Sequence, residues 1–383
     1  MDFSLTKEQE LLRDGLTKFL AARYTLEESR AAAKTGIGWQ PEIWRSFAEE
    51  LGILGATLPE EDGGLGGGAV ELMIVTEALG QALVVEPFVD TVVIGTGLLR
   101  RAGGDRAAEI IGEIVEGNAI TAFAALEATS GDNYADVTTT ARRDGDEWVL
   151  SGSKIVVTSA PLASHLLVTA RTSGDQRDTD GISLFVVPLG PHNPPAGLDS
   201  HSFRTVDDRQ AADITFTDLR LPADALLGVE GGALPSIEYA IDEATAAIAS
   251  EAVGLMRKVL ADTVEYAKQR KQFGQAIGTF QVLQHRMVDM YMEVEQSVAA
   301  VYLAILNLDA DPVDRALAVS AAKATIARAA RFVGQNAVQL HGGMGMTEEL
   351  AIGHYFRRLT VIEHEFGSAD LHIARFAALT ANR

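Results

Sequence analysis

The sequence predicts an α+β chain in three parts: a helical domain over residues 1–117, a β-domain over 118–222, and a domain of long helices over 223–383. Three observations carry that prediction. Apolar residues recur at helical spacing towards both ends, short β-rich runs separated by polar turns fill the middle, and 383 residues exceed the ~250–300 that a single core usually serves. The middle block reads as a β-barrel or sandwich and the last as a four-helix bundle.

Each element has a local reason. From Phe3 onward, Thr6 followed by Gln9 forms a capping box, and Leu11, Leu12, Leu16, Phe19 and Leu20 then mark one face of a helix. A second helix is expected in "PEIWRSFAEELGILG", with Pro41 in its first turn, and a third in "AVELMIVTEALGQAL". The glycine-rich "PEEDGGLGGG" between them lacks both the Lys-Ser/Thr ending and the preceding strand of a phosphate loop, so it reads as a plain loop. Strands are expected in "AITAFAALEA", "DVTTTARRDGDEWVLSGSKIVVTSA", "HLLVTART", "GISLFVVPL" and "AADITFTDLRLP", with a hairpin turn at Asp144-Gly145-Asp146. Beyond Pro222 the helical pattern resumes, and the alanine-rich "DRALAVSAAKATIARAARFVGQNAVQLHG" permits close helix approach, within the bundle or across a subunit interface.

Composition narrows the chemistry. Fifty-three acidic residues against 32 basic ones give a formal charge of −21, which repels a phosphate backbone and an anionic membrane surface. Neither nucleic acid nor membrane is an expected partner. Cysteine is absent, which excludes disulfides, thiolate nucleophiles and cysteine metal sites, so redox chemistry would need a borrowed cofactor. The N-terminus is charged from Asp2, and no apolar run approaches the ~18 residues of a membrane span, so a cytoplasmic location is expected. His341, His354, His364 and His372 lack a ligand spacing, and no metal site is expected.

Two segments have the chemistry of a dinucleotide site. Arg270 and Phe273 pair a guanidinium able to fork onto a pyrophosphate with a ring able to lie against a nucleobase; the same residues would also suit a helix C-terminus ended by Gly274. In "QLHGGMG", Gln339 supplies an amide while Gly342 and Gly343 allow a phosphate close to the backbone, or simply make a turn.

The domain order, together with "DFSLTKEQELLRD", "LGILGATLPEEDGGLG", "DGDEWVLSGSKIVVTSA", "RKQFGQAIGTFQVLQHRMVDM" and "AVQLHGGMGMTEE", resembles the acyl-CoA dehydrogenase family over essentially the whole chain. The resemblance implies FAD held by Arg270, Phe273, Phe280 and Gln281, with Gln339, Leu340, His341, Gly342 and Gly343 reaching a neighbouring subunit's cofactor. It places Thr158 at the flavin edge, in a Val156-Val157-Thr158 triplet where the family usually has Trp-Ile-Thr. In "LEATSGDN", Glu127 and Gly131 match a flavin and substrate segment, and Asp132 stands where a substrate-binding serine is usual.

The base is out of place. Counting from Gly342 puts the commoner position of the family's catalytic glutamate at Phe366, and counting back from Gly254 puts the second at Ala244. Glu365 and Glu243 each lie one residue early, and Thr245 replaces a usual arginine. The implied activity is α,β-dehydrogenation of an acyl-CoA thioester, with electron-transfer flavoprotein as acceptor. The pattern resembles one subunit of the heteromeric actinobacterial enzymes of fatty acid or sterol degradation, a tetramer in which a paralogous subunit supplies the base. The alternatives are a homotetramer using Glu365 or Glu243, and a non-catalytic structural paralogue.

Overall fold

The computed structural model describes residues 4–34, 38–190 and 194–381; Asp2 and Phe3 lie outside them. In chain order the elements are α1 (Lys7–Arg23), α2 (Leu26–Lys34), α3 (Pro41–Glu49), α4 (Ala69–Gln81), α5 (Thr96–Ala102) and α6 (Asp105–Val115), then β1 (Thr121–Ala124), β2 (Thr140–Asp144), β3 (Glu147–Thr158), β4 (His165–Arg171), β5 (Ile182–Pro188), β6 (Leu198–Arg204), β7 (Gln210–Pro222) and β8 (Leu226–Leu227). There follow α7 (Leu234–Gln269), the short strands β9 (Lys271–Gln272) and β10 (Gln275–Ala276), α8 (Gln281–Ile305), α9 (Pro312–His341), α10 (Ala351–His364) and α11 (Ala369–Ala381). Val89–Gly95 is π-helical, a rare form often associated with functional sites.

The capping box forms as the sequence requires: the Thr6 hydroxyl accepts from the Gln9 N–H at 3.3 Å, and Gln9 Oε1 accepts from the Thr6 N–H at 2.9 Å. Pro41 opens α3. The β2–β3 hairpin turns through Gly145-Asp146, Gly145 taking the positive φ of 65° that costs glycine nothing. The chain divides into two compact units, one of Met1–Ala32, Gly68–Val84 and Thr245–Arg383, the other of Ala33–Gly67 and Val85–Ala244.

In the second unit the strands form one sheet in the order β6-β7-β3-β2-β4-β5-β8, with β1 parallel to β4. Side chains from β1 to β7 converge on a single core that includes Trp148, Leu150, Leu166, Phe185, Ile214 and Phe216, so the sheet wraps around its own interior. Trp148 and Phe185 meet edge-on at 5.1 Å. Sequence reading missed β6 because it does not alternate: Leu198 is buried and nearly all the rest of the strand faces solvent. Beyond Lys154 a bulge interrupts the register of β3 with β7, and there Val156 adopts a φ of 49°, rare for a β-branched residue.

In the first unit α8, α10 and α11 pack around α9, whose buried alanines include Ala322, Ala329, Ala330 and Ala337. Helices α4 and α7 touch through reciprocal glycines. A Cβ on Gly80 would lie 2.1 Å from the Glu251 carbonyl oxygen, and one on Gly254 would lie 1.9 Å from that of Glu77. No backbone can yield that much locally. Gly254→Ala is therefore expected to lose about 1–3 kcal/mol in urea unfolding, as overpacking does. Gly112→Ala in α6, where a Cβ meets no atom within 4 Å, should instead hold or gain up to ~1 kcal/mol from helix propensity.

Candidate functional site

The two dinucleotide-type segments belong to the helical unit and are linked by one stacked pair. Helix α7 ends at Gln269, so Gly274 is not its stop: Phe273 and Gly274, with φ of 53° and 81°, form the two-residue turn between β9 and β10. That turn type needs positive φ at both positions. Phe273 is thus strained at its backbone and 92% exposed at its ring, with Phe280 edge-on at 6.2 Å; Arg270 and Gln281 are also exposed. At the end of α9, Gln339 faces solvent while Leu340 and His341 are buried, so any ligand contact by these two would run through their backbone.

The His341 ring stacks on Tyr266 at 4.2 Å and donates from Nδ1 to the Ala337 carbonyl at 2.8 Å. Tyr266 lies one turn before Arg270, and its hydroxyl donates to the His341 carbonyl at 3.4 Å. Gly342 has a φ of 64°, which accounts for glycine there. Gly343 has neither a positive φ nor any atom within 4 Å of an added Cβ. Its backbone is therefore open to a group from outside this chain, as a phosphate cradle requires. Exposed donors, an unburied aromatic and an open glycine backbone fit the anionic half of FAD.

In the other unit, Thr158 ends β3. Its hydroxyl donates to Asp90 Oδ1 at 2.7 Å, and the Ser159 hydroxyl donates to Asp90 Oδ2. Asp90 comes from the π-helical segment. The Thr158 oxygen therefore keeps only lone pairs for a further partner. Val156, 46% exposed, donates its N–H to Asp213 at 2.8 Å. Asp132 is exposed in a tight loop whose Ser130 hydroxyl both accepts the Glu127 N–H and donates to the Glu127 carbonyl.

Glu127, matched to the family segment, is a buried anchor. Its Oε1 accepts from Lys154 Nζ at 2.7 Å and from the Thr139 N–H at 3.0 Å, and its Oε2 accepts the Thr138 N–H at 2.8 Å and the Thr138 hydroxyl. Burial alone would raise its pKa, but the lysine and these donors outweigh it and hold the carboxyl at about 2. Burial lowers Lys154 to about 8 despite the carboxylate, so both remain charged at neutral pH.

Each candidate base has an arginine close by. Glu365 caps α10, and its Oε2 lies 2.9 Å from Nη1 of Arg358, a side chain only 2% exposed. The same guanidinium forks onto Glu251 with two bonds of 2.7 Å. In the β-unit, Glu243 and Arg101 converge over Gly97, where an added Cβ would meet Glu243 Oε2 at 3.3 Å and Arg101 Nη1 at 3.5 Å. Arg101 also lies over the Tyr239 ring at 3.4 Å and donates to the Gly97 carbonyl. Ala244 and Thr245 are buried.

The turn after α10 is fixed from three directions. Buried Lys323 donates to the carbonyls of Ile362, Glu363 and Gly367 at 2.6, 3.3 and 2.9 Å, supplying a cation to the helix C-terminus. His372 Nε2 donates to the Phe366 carbonyl at 2.9 Å, and Arg358 holds Glu365. Phe366 itself has a φ of 57°. Sequence reading missed Lys323, Arg358 and Glu251. The signal was present: each interrupts an apolar helical stripe, Lys323 between Val319 and Ile326, Arg358 between Tyr355 and Ile362, Glu251 between Ala247 and Leu255. Among the described residues no group of three or more His, Asp or Glu side chains could hold a metal ion, and no helix is long and apolar enough to cross a membrane.

The N-terminal, middle and C-terminal domain models of acyl-CoA dehydrogenase match residues 6–111, 122–219 and 234–379, so the chain belongs to the acyl-CoA dehydrogenase family of FAD-dependent oxidoreductases. Acyl-CoA dehydrogenase FadE12 of Mycobacterium tuberculosis is 32% identical over 360 residues, covering 91% of this chain and 90% of its own. Among solved structures, a variant of the Tcur3481–Tcur3483 steroid acyl-CoA dehydrogenase is 28% identical, with a TM-score of 0.87 over 98% of both chains. The ChsE4–ChsE5 complex from Mycobacterium tuberculosis contains a chain 25% identical, with a TM-score of 0.89 over the full length of each.

Two outcomes follow from the buried charges. Because the Glu127 pKa is depressed from 4.5 to about 2, the stability it contributes is full above pH 4.5 and disappears as pH falls from there towards 2, in total about 3 kcal/mol. Acid unfolding of Glu127→Gln should lack that component. Arg358→Met strands two carboxylates and should lose about 3–5 kcal/mol in chemical denaturation, whereas Arg358→Met combined with Glu251→Leu should recover most of it.

Proposed function

We propose that this chain serves α,β-dehydrogenation of an acyl-CoA thioester as one subunit of a heteromeric tetramer, in which a paralogous partner supplies the catalytic base. The observation that carries the reading is an arginine beside each nearby glutamate, Arg358 paired with Glu365 at 2.9 Å and Arg101 within electrostatic reach of Glu243. A base for a weakly acidic α-proton needs a carboxylate raised towards neutral pH in a dry cavity. A guanidinium in contact does the reverse.

The dinucleotide half is equipped by contrast. Arg270 would neutralise the FAD pyrophosphate, Phe273 and Phe280 would lie against the nucleotide, Gln281 and Gln339 would donate amide N–H groups, and Gly342 and Gly343 would admit phosphate oxygens. FAD, once bound, supplies the hydride acceptor. Thr158, its own proton directed to Asp90, would accept at the flavin edge. The Phe366 N–H, which meets no acceptor among the described residues, is available to a thioester carbonyl. Asp132 disfavours a developing enolate beside it, which again supports a silent catalytic half. Electron-transfer flavoprotein would carry electrons onward. Likeness to a steroid enzyme supports a bulky acyl group, such as a sterol side-chain thioester.

The test is to purify the chain alone and with candidate paralogous subunits, measuring FAD per protomer and flavin bleaching by acyl-CoA. Bleaching should require the partner, and Glu365→Gln or Glu243→Gln in the complex should leave kcat unchanged. Full FAD loading and bleaching by the lone chain would sink the heteromeric reading; loss of its turnover in Glu365→Gln would then assign the base to this chain.

A further inference from the structure

We propose that the buried Lys154–Glu127 pair is a positioning device that couples the loop Leu126–Asn133 to the strand end Val156–Thr158, so that a ligand ordering one segment orders the other. The inference rests on the reading that these two segments border the flavin and the acyl-CoA. Neither charged group is reachable from solvent, at 0% and 3% exposure, so neither acts by touching a ligand.

Their contacts define what they join. Lys154 Nζ donates to the Ala125 carbonyl just after β1 and to the Thr169 hydroxyl on β4, both at 3.0 Å, besides Glu127. Glu127 takes Thr138 and Thr139 ahead of β2, closing residues 128–137 into a loop pinned at both ends. Lys154 is also the last residue of β3 in register with β7, opposite Ile214, before the bulge that carries Val156. The next residue, Ile155, donates its N–H to the Leu126 carbonyl at 2.9 Å.

Strain gives the pair something to hold. Val156 and Ser159, with φ of 49° and 60°, lie in a conformation that persists only when its surroundings over-determine it. Packing alone does not require ions here, since a buried pair can often be replaced by apolar residues of similar volume. What an ion pair with six directed contacts adds is fixed geometry between the loop and the strand.

The experiment has two arms. In the full-length chain, Thr138→Val removes one loop anchor while the ion pair stays satisfied; hydrogen exchange at residues 155–158 should accelerate at least severalfold, and unchanged exchange there would overturn the coupling. In the oligomer that carries FAD, the effects of Asp132→Ala and Thr158→Ala on FAD affinity, followed by flavin fluorescence, should be non-additive by about tenfold. That non-additivity should vanish in a Glu127→Gln/Lys154→Met background, or in Thr138→Val if the double variant does not fold. Additivity in the wild-type background, or non-additivity that survives loss of the pair, refutes the proposal. Failure of the wild type to bind FAD in any oligomer would sink the site reading itself, while leaving the exchange arm to judge the coupling.

Discussion

The guanidinium of Arg358 ties the C-terminal helices to one another. A buried arginine costs several kcal/mol of desolvation unless its charge is paired, and here Glu251 takes two hydrogen bonds on one edge while Glu365 Oε2 lies 2.9 Å from Nη1 as a second countercharge. Glu251 in turn stands at the crossing where Gly80 lets α4 press against its carbonyl. The glycine contact, the helix crossing, the fork and the turn after α10 therefore form one chain of constraint.

The same interaction gives Glu365 a structural role at the end of α10. At Glu365 the cation of Arg358 lies 2.9 Å from the carboxylate at the turn, and Lys323 fixes the carbonyls around it. At Glu243 the work falls to Arg101, itself stacked on Tyr239. In both places charge serves architecture. The dinucleotide segments show the opposite arrangement, with backbone strain at Phe273 and its ring left in solvent. Such a conformation, unfavourable to the isolated chain, is intelligible if a cofactor or another subunit completes it.

Much of this was legible in the residues. The capping box at Thr6, the proline start of α3, the Gly145 hairpin and the long alanine-rich α9 follow from local rules, because each depends on neighbours three or four positions away. Beyond these, β6 was silent since its burial does not alternate, and whether Gly274 ends a helix or sits in a turn stayed open because a glycine in a two-residue turn and a helix-stopping glycine look alike in sequence. The π-helical segment that delivers Asp90 to Thr158 had no local signal.

For the site, sequence alone determined which chemistry-bearing residues were present, with Glu365 and Glu243 each one residue short of the position that the family resemblance led one to expect for a base. It could not say what Glu365 and Glu243 do, because their partners, Arg358 and Arg101, lie seven residues away along the same chain and 142 residues back. Ion pairing depends on distance in space and on burial, and only the tertiary structure brings these groups together and dries them. It likewise converted Glu127 from a motif letter into the carboxylate that answers Lys154. Local composition fixed the parts; long-range packing decided which charges were left to act.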